Sequence, residues 1–156
     1  MGGGANQPGT SLALCKDVIR RAHQIRHERA SRVLLVEDDP LYRWLIGRLL
    51  EHHGYWCIEA AHGREGYKVA QAWPPHVLLT GLSMPFMDGL ALIQAVRTTP
   101  STEHIPILLL SDESEPADHR ADLFLSKQVA QGSLLKAIAR LVGGVRPTRS
   151  APSSYG

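Results

Sequence analysis

Three short stretches of this chain could bring reactive or ion-binding side chains to one place. After the apolar run VLLV, residues 33–36, stand Glu37, Asp38 and Asp39 in succession. Adjacent carboxylates at a strand end suit a hard cation such as Mg²⁺, which takes one or two carboxylates and keeps several waters. Asp39, directly before Pro40, also has the type and place of a helix cap, because its carboxylate can accept from the free N–H groups of the next turn. Capping leaves Glu37 and Asp38 unexplained. Ser111 follows the apolar run PILLL and offers a hydroxyl that can contact a phosphate or begin a turn; taken alone, the turn is the simpler reading. Lys127 follows DLFLS. A lysine there can neutralise a bound anion, pair with Asp38, or simply be solvated. The three features act together only if three strands lie adjacent and parallel, with their carboxyl ends on one side.

The elements that must do this positioning are legible. Apolar runs at 33–37, 55–60, 76–80, 105–110 and 122–125 read as strands, and amphipathic segments at about 40–53, 63–72, 88–98 and 131–142 read as helices. Pro40 fits the first turn of its helix, Gly54 closes that helix, and Pro74 and Pro75 stop the next one. Five strands alternating with helices predict an α/β fold, a doubly wound parallel sheet covered on both faces. In such sheets ligands gather beyond the carboxyl ends of the strands. The connection 111–121 is the odd one: eleven residues rich in Asp, Glu, Ser and Pro, with room for a turn or two of helix at most.

A length of 156 residues with 44% hydrophobic residues supplies one domain with a core, plus extensions. No apolar run approaches the roughly 20 residues that cross a bilayer, and the Gly-rich start lacks a signal-peptide layout. A soluble, cytoplasmic protein is the expectation. Cys15 and Cys57 fall in unlike contexts, which argues against a disulfide framework or a metal site. Charge is uneven: residues 1–32 carry a net +4, residues 33–145 a net −4 and residues 146–156 a net +2. We divide the chain into a basic extension (1–31), a domain (32–143) and a flexible tail (144–156). Within the extension, Leu14, Val18, Ala22 and Ile25 recur at helical spacing and predict an amphipathic helix over about 11–29. Three readings of it stand open: a solvated helix at the domain edge, a partner-binding or homodimer-forming helix, and an arm for nucleic acid or a membrane surface.

Residues 33–142 resemble a response-regulator receiver domain of two-component signalling. VLLVEDDP resembles that family's first strand with its acid pair, and SMPFMDG the loop after its third strand. PILLLS resembles its fourth strand, ending in Ser or Thr, and DLFLSK its fifth, leading to a lysine. The resemblance implies a flavodoxin-like sheet of order 2-1-3-4-5, with the helix of the fourth crossover shortened or missing here. It also implies that Glu37 and Asp38 are the metal acids, Ser111 and Lys127 the phosphate contacts, and Phe124 the switch aromatic. The phospho-accepting aspartate belongs four residues before Pro85, and that residue is Gly81.

Glycine has no nucleophile, and its presence also removes one Mg²⁺ ligand, so no required cofactor and weak Mg²⁺ binding at best are expected. Thr80 and Ser83 lie off the acceptor position, and Asp88 lies beyond Pro85 at the start of a helix. Gln128 stands where the family usually has a proline after the lysine, so a trans peptide is expected. The leading expectation is a degenerate receiver, not an enzyme. It would act as a phosphorylation-independent interaction module for a histidine kinase, another regulator or a localisation factor. The alternatives are a conventional phospho-receiver in which Gly81 replaces Asp, and a nucleic-acid binder using the basic extensions. The last has no reader motif behind it.

Overall fold

The computed structural model describes residues 8–144 of the chain. The chain divides into two units, Met1–Ala30 and Ser31–Gly156. The first contains one helix, α1 (Pro8–Arg29), which begins three residues earlier than the predicted start at 11. Leu14, Val18 and Ile25 on it are exposed. The predicted tail lies outside the described residues from 145 onward.

The second unit runs β1 (Arg32–Val36), α2 (Pro40–His52), β2 (Trp56–Ala60), α3 (Gly63–Ala72), β3 (Val77–Gly81) and α4 (Gly89–Thr98). It continues with β4 (Ile107–Ser111), β5 (Leu123–Ser126) and α5 (Gln131–Val142). All neighbouring strands are parallel, in the order β2-β1-β3-β4-β5. This is the doubly wound, flavodoxin-like sheet that the alternation of elements predicts. Successive side chains in each strand point to opposite faces, so both faces must be apolar when both are covered. Val33, Leu35, Leu79, Leu108 and Leu110 pack with Ile46 and Leu50 of α2 and Leu134, Ile138 and Leu141 of α5. Leu34, Val36, Leu78 and Leu109 pack on the other face with Ala70 of α3 and Leu92, Ile93 and Val96 of α4.

Three strands end later than their apolar runs do. Gly81 pairs in register with Leu110, and Ser111 with Ser126. Hydrogen bonding in the ladder needs only backbone, so a glycine and two serines extend strands whose side-chain pattern has already ended. The residues expected just past the sheet thus belong to its last rung.

No helix lies between β4 and β5 among the described residues. Side chains hold that crossover instead. His119 Nδ1 accepts from the Ala121 N–H at 3.0 Å, and its Nε2 meets Glu115 Oε1 at 2.9 Å. Arg97, at the end of α4, pairs with Asp122 at 2.8 Å and donates to Ile105 O at 2.7 Å. Asp118 and Arg120 take left-handed conformations, φ 51° and 58°, so that the loop can turn in so few residues.

Candidate functional site

The carboxyl ends of β1, β3, β4 and β5 converge on Glu37. Its side chain is 1% exposed and directly follows the core residues Val33, Leu34, Leu35 and Val36 of β1. Oε1 accepts from the Asp39 N–H at 3.1 Å. Oε2 lies 2.8 Å from Lys127 Nζ, an ion pair without the angular alignment of a full hydrogen bond. Lys127 Nζ also sits 4.6 Å from the centre of the Tyr42 ring, where the π face attracts a cation. Backbone fixes the lysine's base, because the Lys127 N–H donates to Ser111 O at 3.1 Å.

Lys127 therefore pairs with Glu37 and not with Asp38, correcting the pairing considered from sequence. The reason is solvation. Asp38 is exposed and keeps its water, whereas a buried carboxylate at Glu37 needs a counter-charge. Burial pushes the Glu37 pKa above the ordinary carboxylate value; Lys127 and the Asp39 N–H oppose this, and the neighbouring Asp38 carboxyl adds to it. Asp39 caps α2, accepting from the Leu41 and Tyr42 N–H groups at 2.9 and 3.2 Å.

Gly81 is buried, and its backbone is outside the left-handed region, so its φ does not demand glycine. A Cβ at this position would stand 2.8 Å from Glu37 Oε2, so a side chain here needs the Glu37 carboxylate to move aside. The Glu37 carboxylate lies where a side chain of residue 81 would begin, and it turns from there to Lys127.

The rest of the SMPFMDG loop serves packing. Asp88 caps α4 by accepting from the Ala91 N–H at 2.8 Å. Gly89 donates to Leu82 O at 2.7 Å, and a Cβ on it would come within 2.1 Å of Gly81 O. The Gly63 N–H donates to Met87 O at 3.1 Å, which ties the loop to the start of α3. Phe86 is left-handed, φ 66°, and 78% exposed, its ring edge-on to His62.

Of the remaining residues singled out in sequence, Ser111 is 4% exposed and its Oγ accepts from the Glu113 N–H at 2.9 Å, a turn contact. Phe124 is partly buried against the α3/α4 face of the sheet, its ring 6.4 Å from that of His119. The Lys127–Gln128 peptide is trans. Thr80 is fully buried, its hydroxyl donating to Gly81 O at 2.9 Å, and the exposed Ser83 hydroxyl donates to Glu113.

A magnesium ion does not fit these residues as they stand. Glu37 is committed to Lys127 and the Asp39 N–H, residue 81 offers no oxygen from a side chain, and Asp38 alone is open. Among the described residues no three His, Cys, Asp or Glu side chains form a metal-binding group.

Sequence reasoning missed Tyr42 and Arg43. Tyr42 forms the wall beside Lys127, and burial, with the charges of Glu37 and Asp112, pushes its phenol up to about 12. Arg43 Nη1 donates to Glu37 O at 2.6 Å and holds the strand end in place. Their signal is positional only: both lie in the first turn of the helix that follows the acids.

Fold and site together define a signalling receiver of the doubly wound class, in which an acid pair, a hydroxyl and a lysine meet at the strand ends. The chain belongs to the response regulator receiver domain family, whose model matches residues 33–139. It is 33% identical over 137 residues to a gliding motility regulatory protein of Myxococcus xanthus, covering 83% of this chain and 18% of that one. It is 27% identical over 120 residues to protein PilH of Pseudomonas aeruginosa, covering 73% of this chain and 99% of that one. The signal receiver domain of a signal transduction histidine kinase from Syntrophus aciditrophicus superposes with a TM-score of 0.70. The two share 30% identity, over 81% of this chain and all of that one. No described helix is long and apolar enough to cross a membrane.

Proposed function

We propose that this receiver acts as a phosphorylation-independent interaction module in a bacterial two-component pathway. The observation that carries the proposal is the occupation of the acceptor position: Gly81 has no nucleophile, and the Glu37 carboxylate fills the adjacent space while paired to Lys127. Phosphoryl transfer to a receiver requires a carboxylate open to in-line attack on the donor. Glu37 is buried and ion-paired, and the Thr80 hydroxyl is buried and bonded to backbone. Mg²⁺ binds weakly at best, through Asp38. The partner is a histidine kinase, another regulator or a localisation factor; the similarity to a kinase's receiver domain and to a motility regulator supports that range.

The test is incubation of the purified chain with Mg²⁺ and acetyl phosphate. No hydroxylamine-labile phosphate adduct is expected; its appearance overturns the proposal. The retained Glu37, Asp38, Ser111 and Lys127 favour one second reading, that Gly81 replaces a native acceptor in an otherwise working site. That reading requires Gly81→Asp to restore Mg²⁺-dependent phosphorylation, and an inert variant refutes it.

A further inference from the structure

At the amino end of the sheet, away from the candidate site, β1 begins with Arg32. A ladder N–H ordinarily meets a carbonyl of the neighbouring strand. The Arg32 N–H donates to a side chain, His76 Nδ1 at 2.8 Å, on the residue just before β3, and the His76 N–H donates back to Arg32 O at 2.9 Å. The Arg32 side chain reaches the same connection. Its Nε and Nη2 both donate to Pro74 O, at 3.1 and 2.9 Å, and its guanidinium carbon lies 5.5 Å from the centre of the Trp73 ring. Trp73 in turn meets Trp56 of β2 edge-on, the ring centres 5.3 Å apart. One arginine thus clasps β1 to the segment that leads into β3.

The clasp depends on a neutral imidazole. Nδ1 accepts only while it carries no proton, so the ring proton of His76 sits on Nε2. A second proton turns Nδ1 into a donor facing a donor, and the Arg32 N–H loses its acceptor. It also sets an imidazolium beside the guanidinium. Partial burial of the ring, and then the Arg32 charge, hold the His76 pKa below its ordinary 6.5. Arg32 is the charged group that acts on His76; Trp56, Trp73 and Pro74, the other members of the clasp, carry no charge. His76 is exposed, so a proton reaches it from solvent without unfolding.

We propose that His76 is a proton-operated switch on this clasp: neutral, it holds Arg32 against Pro74 and Trp73; protonated, it frees Arg32 and uncovers the Trp73 ring. The closed clasp binds the proton less tightly than the open one, so it is complete above the ordinary histidine value and is lost as pH falls below it. Arg32 is the second residue of the unit that begins at Ser31, so the switch acts on the chain's anchorage where it enters the sheet. The proposal is independent of whether residue 81 accepts phosphate, because the clasp and Glu37 lie at opposite ends of β1.

Nuclear magnetic resonance of the isotopically labelled full chain, titrated from about pH 8 to about pH 5, tests it. The Arg32 amide and the Trp73 indole resonances should shift with the same midpoint as the His76 ring, below the ordinary 6.5. Protection of the Arg32 amide from hydrogen exchange, corrected for the intrinsic rate, should fall by about tenfold or more across that midpoint. His76→Asn places an amide oxygen where Nδ1 accepts, and should keep that amide protected and the Trp73 resonance fixed over the whole range. His76→Ala should lower the protection at every pH. Arg32→Met removes the neighbouring cation and should move the His76 midpoint up. An Arg32 amide or a Trp73 indole that does not follow His76 overturns the proposal. So does a titration of both that survives in His76→Asn, or a His76 midpoint unmoved by Arg32→Met.

Discussion

The Glu37 carboxylate occupies ground that a side chain at residue 81 would need, and Lys127 holds it there at 2.8 Å. Removing the lysine leaves a buried charge without its partner. Lys127→Met should therefore destabilise the domain by about 3 kcal/mol at neutral pH, measured by urea unfolding. Much of that loss should return in Lys127→Met/Glu37→Gln, where no buried charge remains. The sign with pH follows from the raised Glu37 pKa: the folded state holds that proton more tightly than the unfolded chain, so this group's contribution to stability falls as pH rises past its ordinary value of 4.5. At the alkaline end, burial raises Cys57 from 9.0 to about 12 and Tyr42 from 10.0 to about 12. Both groups ionise first in the unfolded chain, so urea midpoints should fall between pH 9 and 12. Cys15, exposed on α1, should react quickly with a thiol reagent at neutral pH and Cys57 slowly. The acids, the serine and the lysine were legible because each follows an apolar run. Their pairing was not, because Glu37 and Asp38 are both within a lysine's reach and only burial decides between them.

Among the elements, β3 and α4 meet most closely at Gly89. Its absent Cβ would lie 2.1 Å from a backbone carbonyl, which no rotamer change can relieve. Gly89→Ala should cost several times more stability than Asp88→Ala, the loss of a cap worth about 1 kcal/mol; urea titrations of the two variants make the comparison. The alternation of strands and helices was readable because strands covered on both faces are continuous apolar runs. The strand ends were not, since Gly81, Ser111 and Ser126 join the ladder by backbone alone. The shortened fourth crossover was foreseen from its eleven residues, but not how it would be held: Arg97 reaches Asp122 from far along the chain, and His119 makes its local contacts to Glu115 and Ala121 only in the turn the loop adopts.

Across the whole molecule, charge separates a basic α1 from an acidic domain, and that separation was visible in the sequence. The exposed Leu41, Trp44 and Leu45 were not, because a helix following a buried strand reads as core-facing on any apolar residue until its packed face is known. On the proposed reading, the framework of a receiver is retained while its reactive position is closed by the chain's own carboxylate. That claim is tested most directly by adding Mg²⁺ with beryllofluoride, a mimic of an acyl phosphate, to isotopically labelled protein and following backbone amide resonances. The account predicts no saturable shift at Ser111, Phe124 or Lys127. Saturable shifts at these three amides, abolished when Mg²⁺ is chelated, would contradict it.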